Sequence, residues 1–174
     1  MTGVQTCALP ICTYVAAGVM EFFRDEAVPE ADIVLPNAYE LALLTGQTIR
    51  TVDQAASAAA ELLKRGPEMV VVKGLRHGDS ISALLVSGSQ AWQATSPFID
   101  IPAHGAGDLF CALFLGHFLL RGDARTALAR AVHGVHAVIE KTRALKLDAL
   151  ALVDAQDELV ASSVPVVALP LWAA

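Results

Sequence analysis

A glycine-rich turn that runs straight into an apolar helix constrains this chain most. His104-Gly105-Ala106-Gly107-Asp108 is followed at once by Leu109-Phe110-Cys111-Ala112-Leu113-Phe114. Glycine and alanine let a backbone turn tightly and leave N–H groups exposed at a helix start. Those groups, with the positive end of the helix dipole, form a site suited to phosphate. Asp108 places a carboxylate beside it. Phosphoryl transfer to an alcohol needs both parts, donors for the charged group and a base near the hydroxyl. The dipole alone also favours an Asp in a first helical turn, so the surroundings matter. Gln90–Ile101 reads as a strand closed by Pro102. Strand, glycine turn and helix is the order in which an α/β sheet binds ligands beyond its strand ends.

The rest of the chain supplies the layers such a sheet needs. Val15–Ala27 reads as a helix with Val19, Phe22 and Phe23 on its apolar side, ended by Pro29. Ala31–Leu35 is a short apolar run consistent with a buried strand. Asn37 opens a helix that stops near Gly46, and Asn37 with Glu40 has capping-box spacing. Thr51 with Gln54 repeats that spacing before a helix carrying Ala55, Ala56, Ala59, Leu62 and Leu63 on one face. Lys64 and Arg65 sit in its last turn, and Gly66-Pro67 stops it. Met69–Lys73 reads as a β-branched strand and Gly74–Asp79 as a turn. Ile81–Val86 and Gln90–Ser96 read as a hairpin around Ser87-Gly88-Ser89. Asp123 caps a long helix with Leu128, Val132, Val135 and Ile139 at helical spacing. His133 and His136 lie on that helix without a visible third ligand and read as surface or half-buried residues. Leu147–Val153 reads as an extended segment, and Val164–Trp172, with its prolines, as an edge segment or loose tail. Crossover connections in this order imply a partly parallel sheet covered by helices.

Composition excludes several classes. Of 174 residues, 55% are hydrophobic and 17% charged, which excludes a disordered chain and permits a real core. A net charge of −6 with no basic block argues against a nucleic-acid partner. No apolar run approaches the roughly 20 residues of a membrane span. Leu109–Leu120 is short and contains Gly116 and His117, so it reads as a buried core helix. No basic region precedes an apolar N-terminal segment, and a cytoplasmic protein is expected. Cys7, Cys12 and Cys111 fit no zinc or redox spacing, and Cys111 reads as a small buried hydrophobe.

The chain resembles the C-terminal part of the ribokinase-like superfamily and, within it, the pyridoxal kinases. The match lies in Asp32-Ile33-Val34-Leu35-Pro36-Asn37-Ala38-Tyr39-Glu40-Leu41 with Leu44-Thr45-Gly46, in Val70-Val71-Val72-Lys73-Gly74, in Gly105-Ala106-Gly107-Asp108-Leu109-Phe110, and in the tail Ala155-Gln156-Asp157. The resemblance implies an α/β fold, a ribokinase-like three-layer αβα sandwich, of which the chain is the C-terminal nucleotide-binding half. It implies ATP-dependent phosphorylation of the 5′-hydroxymethyl group of pyridoxal, with magnesium and a homodimeric parent. Asp108 is then the base, and the N–H groups of Gly105, Ala106 and Gly107 the anion hole. Lys73 and Gly74 approach the nucleotide, and Asn37 and Glu40 support magnesium through its water network. Residues 1–12 do not resemble the family and read as a translated adapter fragment, leaving 13–174 as a partial kinase domain. The alternatives are a hydroxymethylpyrimidine-type kinase of the same superfamily and a non-catalytic half-domain. The acceptor-binding half is expected to lie outside this chain, so the chain alone is expected to be inactive.

Overall fold

The computed structural model describes residues 18–160 and 165–173. Residues 1–12 and the start of the first expected helix lie outside this range. In chain order the elements are α1 (Val19–Phe22), a π-helical turn (Phe23–Ala27), β1 (Ile33–Val34), α2 (Ala38–Thr45), α3 (Val52–Leu63), β2 (Met69–His77), β3 (Ser80–Ser87), β4 (Gln90–Pro97), α4 (Ala106–Arg121), α5 (Ala124–Leu145), α6 (Gln156–Val160) and β5 (Leu169–Ala173). The sheet order is β1-β2-β3-β4-β5. Two compact units emerge. One holds the described residues up to Leu75, then Leu84–Trp92 and the residues from Pro170; the other holds Arg76–Ala83 and Gln93–Leu169.

The first unit is built on β1 and β2, which pair in parallel with Ile33 opposite Met69 and Val34 opposite Val70. The pairing continues as an isolated bridge from Asn37 to Lys73, and the Lys73 amide donates to the Pro36 carbonyl at 3.0 Å. Val70, Val71 and Val72 are all fully buried. That is why the run is uniformly apolar rather than alternating. Both expected capping boxes form. The Glu40 amide donates to Asn37 Oδ1 and the Asn37 amide to Glu40 Oε2, each at 2.8 Å. The Gln54 amide donates to Thr51 Oγ1 at 3.2 Å, and the Thr51 amide to Gln54 Oε1 at 3.2 Å. α3 turns Ala55, Ala56, Ala58, Ala59 and Leu62 inward, and Leu41 of α2 is fully buried against the same core. Complete burial of each leucine contributes about 1.5–3 kcal/mol.

The second unit packs α4 against α5. Phe110 and Phe114 of α4 are buried, and Phe110, Phe114 and Phe118 stack in series with centroids 6.4 and 6.1 Å apart. Asp123 caps α5 by accepting from the Arg125 amide at 3.1 Å and from the Thr126 hydroxyl. Buried Thr142 accepts the Ala151 amide at 3.0 Å, which fixes the chain beyond α5.

Several elements differ from the sequence reading. Val19 is half-buried, and Phe22 and Phe23 are exposed and stack edge to face at 5.9 Å. Met20 and Val28 reach the core instead, because the widened turn shifts the face that periodicity had assigned. Gly74 does not end β2, which runs on to His77; cross-strand pairing with β3 outweighs a weak former. β4 stops at Pro97, well before Ile101, and the Phe98 amide then donates to the Asp79 carbonyl at 2.8 Å. Residues 147–153 form bends and turns rather than a strand. Cys111 is half-buried. β5 lies at a sheet edge, where its proline costs no ladder bond.

Candidate functional site

α4 opens as a phosphate-binding helix would. Gly105 stands at the N-cap with φ 86° and ψ −4°, a left-handed conformation that a side chain adopts only under strain. No side chain caps this end. The Ala106 amide is engaged with the Ala103 carbonyl at 3.1 Å, and the Leu109 amide with the Gly105 carbonyl at 2.9 Å. The amides of Gly107 and Asp108 lie between them, in the turn where intrahelical acceptors are absent. Of the expected donor set Gly105, Ala106 and Gly107, Ala106 is therefore already committed to the turn. Asp108 is exposed in the first turn, beside those amides. The structure brings Gly105, Ala106, Gly107 and Asp108 together because they share this one turn.

A second cluster lies in the other unit. Asn37 caps α2 through Oδ1, and Glu40 returns Oε2 to the Asn37 amide. Lys73, brought opposite Asn37 by the parallel register, sets its ammonium 3.7 Å from the same Oε2 and donates to the Leu35 carbonyl. Both side chains are largely withdrawn from solvent, Lys73 at 12% exposure and Glu40 at 21%. Lys73 is thus not the solvated strand-end lysine that its position in the sequence would suit. Glu40 Oε1 accepts no hydrogen bond from the described residues. Gly74 is exposed and lies within β2, directly after Lys73. The Lys73–Glu40 pair and the Leu35 carbonyl were not legible in the sequence, since they depend on which strand lies beside β1.

Two histidines of the second unit, His133 and His136, each lie near a single carboxylate. His133 Nε2 lies 3.3 Å from Glu158 Oε2, and His136 Nε2 lies 3.9 Å from Glu140 Oε2. Burial, followed by Arg130 and Arg121, holds the His117 imidazole below its ordinary range. Among the described residues no group of three or more His, Cys, Asp or Glu side chains could hold a metal by itself. Among them, too, no helix is long and apolar enough to cross a membrane.

The sequence model of the phosphomethylpyrimidine kinase family matches residues 13–152. Pyridoxal kinase PdxY of Rubrobacter xylanophilus is 40% identical over 156 residues, covering 87% of this chain and 54% of that protein. The crystal structure of pyridoxal kinase from Trypanosoma brucei superposes with a TM-score of 0.81 at 27% identity, covering 90% of this chain and 57% of that one. A putative phosphomethylpyrimidine kinase from Bacteroides thetaiotaomicron superposes with a TM-score of 0.83 at 21% identity, covering 91% of this chain and 58% of that one, a likeness of fold. The fold is the expected ribokinase-like α/β fold. The chain spans about half the length of the curated relatives it matches.

Proposed function

We infer the function from one premise: the chain belongs to the phosphomethylpyrimidine kinase family. The protein that carries it transfers the γ-phosphoryl group of ATP to the 5′-hydroxymethyl group of pyridoxal, giving pyridoxal 5′-phosphate. Curated relatives bearing the name pyridoxal kinase support this choice of acceptor. The observation that carries the chemistry is the turn at Gly105, with its uncapped amides and the Asp108 carboxylate beside them. In this reading Asp108 accepts the proton of the attacking hydroxyl. The amides of Gly107 and Asp108 stabilise the charge that develops on the transferring group. Gly74 offers the nucleotide one exposed backbone position within β2. The same reading carries a cytoplasmic, homodimeric parent, as the family resemblance implies.

Magnesium, when bound, neutralises charge on the phosphates. The residues present fit a hold through its water shell. Asn37 Oδ1 is committed to the cap, while Glu40 Oε1 is left over as a single carboxylate oxygen. Magnesium keeps several waters and takes few direct protein ligands.

The family's own name favours a second acceptor, a hydroxymethylpyrimidine, on the same catalytic frame. The test has two parts. Calorimetry on this chain with ATP and magnesium is expected to show binding, without useful turnover of either acceptor. Positioning of an acceptor supplies roughly 7–11 kcal/mol of a barrier, and this reading places those contacts in the other half of the relatives. Absence of nucleotide binding would overturn the kinase reading, and robust turnover by this chain would overturn its placement of the acceptor site. In a complete protein carrying this segment, product analysis then separates pyridoxal from the pyrimidine. There Asp108→Asn is expected to lower turnover about 10²–10⁴-fold with nucleotide affinity kept. Near-normal turnover would remove Asp108 from the base role.

A further inference from the structure

We propose that Lys73 is a positioning residue: it fixes the Glu40 carboxylate so that Oε1 is presented to the water shell of nucleotide-bound magnesium. This rests on the kinase reading above but assigns Lys73 a task that reading leaves open. A lysine on a β-strand of a nucleotide-binding fold would ordinarily be read as a phosphate ligand. Its surroundings say otherwise. The ammonium is occupied by the Leu35 carbonyl and by Glu40 Oε2. The Lys73 backbone is tied to the same turn, its amide donating to Pro36 and its Cα paired with Asn37. One residue therefore clamps Leu35, Pro36, Asn37 and Glu40 together.

The consequence falls on one oxygen. Glu40 Oε2 accepts the Asn37 amide at 2.8 Å and forms an ion pair with the Lys73 ammonium at 3.7 Å. A carboxylate held through one oxygen by a backbone donor and a cation has little freedom to rotate. Oε1, which accepts no hydrogen bond from the described residues, is then held in one place rather than exchanging with Oε2. The capping box alone cannot do this. Thr51 and Gln54 form the same box on α3, where the N3 residue carries no charge and no lysine is needed. A partner that orients a metal-supporting group typically matters about 10–100-fold in metal affinity when removed.

The test measures the affinity of the chain for ATP in EDTA and in magnesium, for wild type, Lys73→Met, Lys73→Arg, Glu40→Gln and the double variant Lys73→Met with Glu40→Gln. Gln is accepted at N3 of a capping box, so Glu40→Gln removes the charge and leaves the cap. Lys73→Met is expected to cut the magnesium-dependent gain in affinity about 10-fold or more while leaving the affinity in EDTA unchanged. It should add nothing on top of Glu40→Gln, and Lys73→Arg should restore most of the gain. Equal loss with and without magnesium, adding in full to Glu40→Gln, would show that Lys73 touches phosphate directly and overturn the proposal. A second readout needs no ligand. Hydrogen exchange of the Asn37 amide should quicken in Lys73→Met if Lys73 holds Glu40, and unchanged exchange would overturn that hold. A wild-type chain with no magnesium effect at all would instead sink the kinase reading, and with it the magnesium half of the proposal. The Asn37 amide would still decide the other half.

Discussion

Replacing Gly105 and Gly107 by alanine, one at a time, separates the two tasks the turn before α4 performs. Gly105 sits at φ 86°, and a Cβ built there would meet only Leu150 Cδ1 at 3.8 Å, an ordinary contact. The cost of Gly105→Ala is thus backbone strain rather than crowding. A left-handed non-glycine residue costs roughly 1–2 kcal/mol. For a chain of this size each kcal/mol moves the melting temperature by about 2–4 °C, so a fall of about 2–8 °C is expected. Gly107 has no positive φ and lies in the first turn of α4. Alanine is the better helix former by up to about 1 kcal/mol, so Gly107→Ala should leave stability unchanged or raise it. Nucleotide binding should follow a different rule. If the Gly107 and Asp108 amides approach phosphate, a methyl group at Gly107 keeps it away, and a hydrogen bond to a charged group is worth about 1.5–3 kcal/mol. Titration with ATP should then show Gly107→Ala weakened about 10-fold or more in a protein at least as stable as wild type. Wild-type affinity in Gly107→Ala would refute the anion-hole assignment, whatever Gly105→Ala does.

The other expectations concern caps, close approach and pH. Thr51→Ala and Asn37→Ala should each cost about 0.5–2 kcal/mol in chemical denaturation. Only Asn37→Ala should also reduce magnesium-dependent ATP binding, because only its cap includes Glu40 and Lys73. Gly66→Ala should destabilise more than either. Its Cβ would lie 2.2 Å from the Pro29 carbonyl oxygen, a backbone atom that cannot swing aside, at φ 146°. Overpacking typically costs about 1–3 kcal/mol, and a variant that melts like wild type would contradict this contact. His117 is held below its ordinary 6.5, by burial first and then by Arg130 and Arg121, against a bond to the Leu159 backbone. Its unfolded form gains a proton more readily than its folded form. The stability it contributes is present above the ordinary value and is lost as pH falls through 6.5 towards the lower folded value. His117→Gln should flatten that part of a melting-temperature profile, and an unchanged slope would assign the loss to other groups.

The legible parts of this fold are those decided within a few residues. Asn37 with Glu40 and Thr51 with Gln54 are local hydrogen-bonding units, and both formed with the expected partners. Asp123 and the alanine face of α3 likewise depend on short-range spacing. The misread parts depend on what lies alongside. Gly74 reads as a turn from its own flexibility, yet β2 continues through it because β3 supplies hydrogen bonds on its flank. Phe22 and Phe23 looked like a core face by spacing, but which face reaches the core is set by the π-helical turn and by Val28. Residues 147–153 look extended because apolar residues recur, whereas Thr142 catches the Ala151 amide and folds the segment back.

The candidate site divides along the same line, and Glu40 shows why. As a helix-capping residue Glu40 is fully explained by the Asn37 amide, and a sequence alone has no reason to ask more of it. A cap needs a side-chain acceptor at N3 and nothing beyond, as the uncharged Gln54 demonstrates on α3. What the cap does not explain is a lysine from β2 drawn into a largely solvent-excluded position beside that carboxylate. Burying an ammonium is costly unless it is paired. An arrangement that only ended a helix would have no cause to accept that cost. It is this excess over structural need, rather than the motif itself, from which we infer a magnesium-supporting role for Glu40 and Lys73. That excess becomes visible only when the parallel register of β1 and β2 sets Lys73 opposite Asn37.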